Sequence, residues 1–103
     1  MLNELAKEIR EIALSKGWDN LTPAIWQDKY IVPTFLALIH SETSEGMEAF
    51  RKNDKENFKE EMADMLIRVL DLAAGLEIDM DQAVADKMEK NRNRPFRHGG
   101  KKV

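Results

Sequence analysis

Apolar residues recur every three to four positions along most of this chain, the period of an amphipathic helix. Over 1–16, Leu2, Leu5, Ile9, Ile12 and Ala13 share one side, while Glu4, Lys7, Glu8, Arg10 and Glu11 share the other. This predicts a first helix, with Gly17 as its left-handed stop. Residues 18–32 are the least regular. Within them Thr22-Pro23 reads as a cap and a first helical residue, which predicts a short helical piece. A second helix is expected over 33–52 and a third over 55–74, joined by Asn53-Asp54 and ended by Gly75. Asp79-Met80-Asp81-Gln82 has the spacing of a capping box and opens a fourth helix to about residue 91, which Pro95 prevents from running much further. Tyr30-Ile31-Val32 favours extended backbone but is too short for a convincing strand. The expected fold class is all-α, a single-domain four-helix bundle.

Two short acidic motifs interrupt the apolar stripes. In the second helix the stripe runs through Ile31, Phe35, Leu38, Ile39, Gly46, Ala49 and Phe50, with Glu42 near its middle and Glu45 at its edge. In the third it runs through Phe58, Met62, Met65, Leu66, Val69, Leu72 and Ala73, with Glu61 at one margin and Asp64 one step further round. A short turn makes the two helices antiparallel neighbours. Counting from that turn at 1.5 Å per residue puts both acidic pairs at nearly the same height, facing each other. An unpartnered carboxylate turned toward a core is costly, and four together repel. A divalent cation removes both penalties. An oxygen-only donor set favours a hard ion, Mg2+ or Mn2+ in its place. Glu42, Glu45, Glu61 and Asp64 are therefore both the candidate metal ligands and the candidate catalytic groups. The competing view is that some of them simply pair with basic side chains.

Composition narrows the classes. A chain of 103 residues with 43% hydrophobic and 34% charged residues has the length of one domain and the balance of a folded soluble protein. Without cysteine there is neither a disulfide nor a thiolate metal site. No apolar run approaches a membrane span and the start lacks a signal-peptide pattern, so the expected location is the cytoplasm. The net charge of -3 hides an asymmetry. Residues 87–103 hold seven basic residues against Glu89 alone, a net +6, leaving -9 on the first 86 residues. Such a basic end can bind nucleic acid, or can neutralise a polyphosphate held at an acidic, metal-loaded site. Lys87, Asn91 and Arg94, spaced four and three apart, share a face of the fourth helix while it lasts. The domain is expected over 1–95 and a basic, flexible tail over 96–103.

Other chemistries find no support. Di-iron bundles use Glu-x-x-His, and neither His40 nor His98 stands three residues after a glutamate. Ser41, Thr43 and Ser44 have no histidine at a recognisable spacing, and Gly99-Gly100 is no phosphate loop. Metal-assisted attack of water on a phosphoanhydride requires only the carboxylates and basic residues present.

Glu-x-x-Glu, fifteen intervening residues, Glu-x-x-Asp, and then Lys87 through Asn91 to Arg94 together resemble the MazG-like all-α nucleoside triphosphate pyrophosphohydrolases. The likeness spans residues 26–94. It implies Mg2+-dependent cleavage of (d)NTPs between the α and β phosphates, giving a nucleoside monophosphate and pyrophosphate, in nucleotide-pool house-cleaning. It also implies that the four carboxylates bind the metal, that Lys87, Asn91 and Arg94 contact substrate, and that the chain assembles as a homodimer or homotetramer, as in the compact dCTP pyrophosphatase-like branch. Trp26, Phe35 and His40 are candidates for the base pocket; Trp18, Trp26 and Tyr30 are otherwise expected to cover the open end of the core. Neither a membrane nor a nucleic-acid partner is expected on this reading. The alternative is a non-catalytic helical oligomeric module whose basic tail binds nucleic acid.

Overall fold

A computed structural model describes residues 1–95; the basic tail expected over 96–103 lies outside the described residues. Four α-helices, α1 (Leu2–Ser15), α2 (Ile31–Arg51), α3 (Lys55–Gly75) and α4 (Met80–Arg92), are joined by short turns and one 3₁₀ helix, Pro23–Gln27, with no strand among the described residues. The antiparallel α2–α3 hairpin is the main packing unit; α1 lies against α3, and α4 against α1.

Local chemistry sets the ends of α2 and α3. Asp28 Oδ1 accepts from the backbone N–H groups of Tyr30 and Ile31 at 2.7 and 3.1 Å, so α2 starts at Ile31. Pro33 falls inside its first turn, where an absent N–H costs nothing. At the other end Asn53 takes the left-handed conformation (φ 57°) and Asp54 N–H bonds back to Ala49 O at 2.9 Å. Asp54 then caps α3 by accepting from Asn57 N–H at 3.0 Å. Gly17 (φ 93°) provides the expected stop after α1.

Gly75 does not stop α3. The left-handed residue is Glu77 (φ 57°), and Ile78 N–H closes the motif on Ala73 O at 2.9 Å. Gly75 serves packing instead: a Cβ there would stand 2.6 Å from Leu21 Cβ. That close approach seats Leu21 and Ile25 against Leu72, with Ile31, Val32, Phe35 and Leu76 around them. Burying each such aliphatic side chain contributes about 1.5 to 3 kcal/mol. Leu21 and Ile25 thus fill the end of the core that the aromatic residues were expected to cover, and Trp18, Trp26 and Tyr30 are all exposed.

The buried face of α1 also differs from the expected one. Ala6 and Arg10 are buried, whereas Leu5 and Ile12 are exposed. Arg10 faces inward because it has partners there: Nη1 donates to Asp71 Oδ1 at 3.0 Å and Nη2 to the carbonyl of Trp18. The α4 start is held by α1. Asp81 Oδ1 accepts from Leu2 N–H at 2.7 Å, Asn3 Oδ1 accepts from Met80 N–H at 2.8 Å, and Asn3 Nδ2 donates to Asp79 Oδ1 at 2.8 Å. The two helix starts cap each other. Only half of the expected capping box forms: Asp79 Oδ1 accepts from Gln82 N–H at 3.0 Å, but Gln82 Nε2 donates forward to Asp86 Oδ1 at 2.8 Å.

With α4 packed on α1, one face of the hairpin is left uncovered. Phe50, Met62 and Leu66, placed by periodicity on the inward stripes, are exposed, as are Met47 and Ile67.

Candidate active site

Glu42 and Glu45 on α2 meet Glu61 on α3. One carboxylate oxygen from each lies within 4.8 Å of the other two. The antiparallel register accounts for the meeting and for the close approach of α2 to α3, where a Cβ at Gly46 would stand at an ordinary van der Waals distance of 3.6 Å from Glu61 Cβ. This approach covers Glu61, which sequence periodicity put at the margin. Glu42 is 7% exposed and Glu61 9%, while Glu45 is open to solvent. Asp64, one turn along α3, is exposed and stands outside this trio.

The trio is electrostatically incomplete. Oε2 of Glu42 and Oε2 of Glu61 are both buried with no hydrogen-bond partner. Glu42 Oε1 accepts from Arg68 Nε at 3.0 Å. A proton held on Glu61 and donated to Glu42 first, and the Arg68 hydrogen bond second, lower the Glu42 pKa below its ordinary value. The same Glu42 contact, then burial and Glu45, push the Glu61 carboxyl up to about 7. One proton shared between the two buried carboxylates relieves their repulsion; so does a cation. Two orphaned buried oxygens plus a third, accessible carboxylate fit a hard divalent cation that retains water.

Arg68 is the site residue that the motifs did not reveal. It stands seven residues after Glu61 and four after Asp64, spacings that keep a side chain on nearly the same helix face. A basic residue at that spacing was the available signal.

The remaining candidates lie apart from the trio. Phe35 is half-buried and, with Leu38, lines a cavity that Arg68 also lines. His40 is exposed on α2. Trp26 borders a hollow with Pro23, Leu76 and Ile78. Leu76 is fifteen residues beyond Glu61, about 22 Å along the helix axis. Lys87 and Asn91 are exposed on α4, and Arg94 lies past its end. Among the described residues their side chains make no hydrogen bond or ion pair.

An all-helical fold with facing glutamates on an antiparallel hairpin matches a known family. The model of the MazG nucleotide pyrophosphohydrolase domain matches residues 32–98, and the chain belongs to that family. Over 54 residues it is 39% identical to dCTP pyrophosphatase 1 of Mus musculus, covering 52% of this chain and 32% of the mouse protein. The match thus spans about a third of that relative's length. No solved structure matches the chain. No helix among the described residues is long and apolar enough to cross a membrane.

Proposed function

We propose that the chain is a nucleoside triphosphate pyrophosphohydrolase that splits (d)NTPs between the α and β phosphates in nucleotide-pool house-cleaning, in the cytoplasm where those substrates occur. The observation that carries this reading is the carboxylate trio with its two orphaned buried oxygens, in a chain of the MazG family. Glu42, Glu45 and Glu61 would hold Mg2+, or Mn2+ in its place, with Asp64 adding a fourth carboxylate from the solvent side. The bound ion supplies a Lewis acid and lowers the pKa of water.

The chain's own residues account for the rest. Water oxygen adds to one phosphorus of the α–β anhydride, the bond from that phosphorus to the bridging oxygen breaks, and the bridging oxygen leaves with the departing phosphate group. The proton lost by the water passes to a carboxylate; solvent access favours Glu45. Arg68 keeps Glu42 ionised and oriented, so that Oε2 is the free donor. Lys87, Asn91 and Arg94 serve the phosphates and sugar once substrate is bound, and 1–95 acts as the catalytic domain with 96–103 as a basic tail. The mouse relative is named a dCTP pyrophosphatase, which makes pyrimidine deoxynucleotides the first substrates to try.

A second copy of the chain is the natural cover for the apolar hollow lined by Met47, Phe50, Phe58, Met62 and Met65 along α2 and α3, since contiguous exposed apolar surface marks interaction sites. We therefore assign a homodimer or homotetramer, in which a residue such as Trp26 or His40 can reach a neighbouring subunit's site.

A panel of deoxynucleoside triphosphates incubated with Mg2+ tests the assignment. Release of pyrophosphate, not orthophosphate, and its loss in Glu42→Gln are expected. No cleavage of any triphosphate, or an unchanged rate in Glu42→Gln, rejects the assignment. A helical module binding nucleic acid through its basic end would instead show tight, steeply salt-dependent DNA or RNA binding that survives Glu61→Gln.

A further inference from the structure

Arg68 is flanked by two carboxylates. Its Nε donates to Glu42 Oε1 across the hairpin at 3.0 Å, and Asp71 stands three residues further along its own helix, the spacing of neighbours on one helix face. Asp71 is in turn held by Arg10, whose Nη1 donates to Oδ1 at 3.0 Å while Nη2 donates to the Trp18 carbonyl. Glu42, Arg68, Asp71 and Arg10 thus form a row of alternating charge that runs from the carboxylate trio to the chain just after α1. We propose that Asp71 is a positioning residue for the trio: it shares the Arg68 guanidinium with Glu42 and so sets how strongly Glu42 takes a divalent cation. This rests on the metal centre of the pyrophosphohydrolase reading.

The surroundings make the sharing effective. Arg68 and Asp71 line one cavity of about 280 Å³ whose other walls are Ala13, Trp18, Phe35 and Leu38, so no further charged side chain along it competes for either. Only Nε of Arg68 is committed to Glu42; among the described residues its Nη1 and Nη2 make no hydrogen bond. Asp71 is kept in place because its side chain and that of Arg10 are 16% and 10% exposed and bonded to each other. Burial pushes the Asp71 carboxyl up from its ordinary value, while the charge of Arg10 first, and of Arg68 after it, pulls the other way. The Arg68 charge is therefore felt at Asp71, although the guanidinium itself stays on Glu42.

Asp71 reaches the trio through Arg68 rather than directly. It stands ten residues beyond Glu61, about 15 Å along the α3 axis, and touches none of the three glutamates. Coulombic interaction falls with distance, so Asp71 acts far more on the arginine beside it than on the carboxylates. An Arg68 charge with no anion behind it opposes a cation at Glu42, and Asp71 offsets that opposition. Asp71→Asn keeps an oxygen that accepts from Arg10, so the fold is retained, but leaves two guanidinium groups without their shared anion.

Mn2+ titration followed by electron paramagnetic resonance at pH 8, in the wild type, Asp71→Asn, Arg68→Met and the double variant, tests the proposal. Asp71→Asn should weaken Mn2+ binding about tenfold, the low end of what loss of an outer partner of a metal ligand costs. In the Arg68→Met background the same substitution should change binding by less than about twofold, because the residue through which it acts is gone. A general loosening of the packing around Arg10 acts alike in both backgrounds, so the difference between them isolates the positioning role. Equal effects of Asp71→Asn in the two backgrounds, or no effect in either, overturn that role alone. Wild-type protein that binds no Mn2+ overturns the metal centre of the pyrophosphohydrolase reading, and this proposal with it.

Discussion

Arg68 Nε stands 3.0 Å from Glu42 Oε1, joining the middle of α3 to the most buried carboxylate of α2. The pair leaves Glu42 Oε2 buried and unpartnered, so the arginine satisfies half of the carboxylate and directs the other half at Glu61 and Glu45. Removing the guanidinium leaves a buried negative charge without its counter-ion. Arg68→Met should therefore lower stability by about 1 kcal/mol, the low end of the usual cost because the arginine is 36% exposed. Saturating Mg2+ should restore more stability to the variant than to the wild type, read as a larger shift of the urea midpoint.

If the trio holds a cation as proposed, protons compete with it at Glu61. Its pKa is raised from 4.5 to about 7, so without a divalent cation the folded chain binds more protons than the unfolded one between those values. The Glu61 contribution to stability is full below pH 4.5 and is lost as pH rises through about 7. Glu61→Gln should remove that downward slope from the metal-free protein. Divalent-cation affinity should instead rise with pH through the same window, with protons released on binding, as calorimetry in buffers of different ionisation heat would show.

Arg10 connects three segments by one side chain. Arg10→Met strands Asp71, whose pKa burial already raises, and frees the Trp18 carbonyl. With both partners mostly buried, a loss of about 3 kcal/mol is expected in chemical denaturation.

Two helical glycines should respond oppositely to alanine. Gly75→Ala forces a methyl to within 2.6 Å of Leu21 Cβ and should cost about 1 to 3 kcal/mol. Gly46→Ala meets Glu61 Cβ at an ordinary 3.6 Å and gains helix propensity, so its thermal midpoint should hold or rise.

These contrasts show what the sequence contained. The four helices and the level meeting of Glu42 and Glu45 with Glu61 were legible because periodicity, a two-residue turn and a constant helical rise are local quantities. Arg68 was legible only as a basic residue at helical spacing from Glu61 and Asp64, since pairing with Glu42 depends on the facing helix. The roles of Gly75, Arg10 and Asp81 were not legible: each depends on a partner far along the chain, Leu21, Asp71 and Leu2. Asp64 shows the limit of the helical argument, since being one turn from Glu61 fixes its height on α3 but not whether it turns toward α2.

The central claim is that Glu42, Glu45 and Glu61 form a divalent-cation centre, and direct Mn2+ binding followed by electron paramagnetic resonance tests it without relying on turnover. Saturable binding to the wild type, with loss of the bound signal in Glu42→Gln and in Glu61→Gln, is the predicted result. Equal binding by all three proteins, or none by the wild type at pH 8, where Glu61 is ionised, would contradict it.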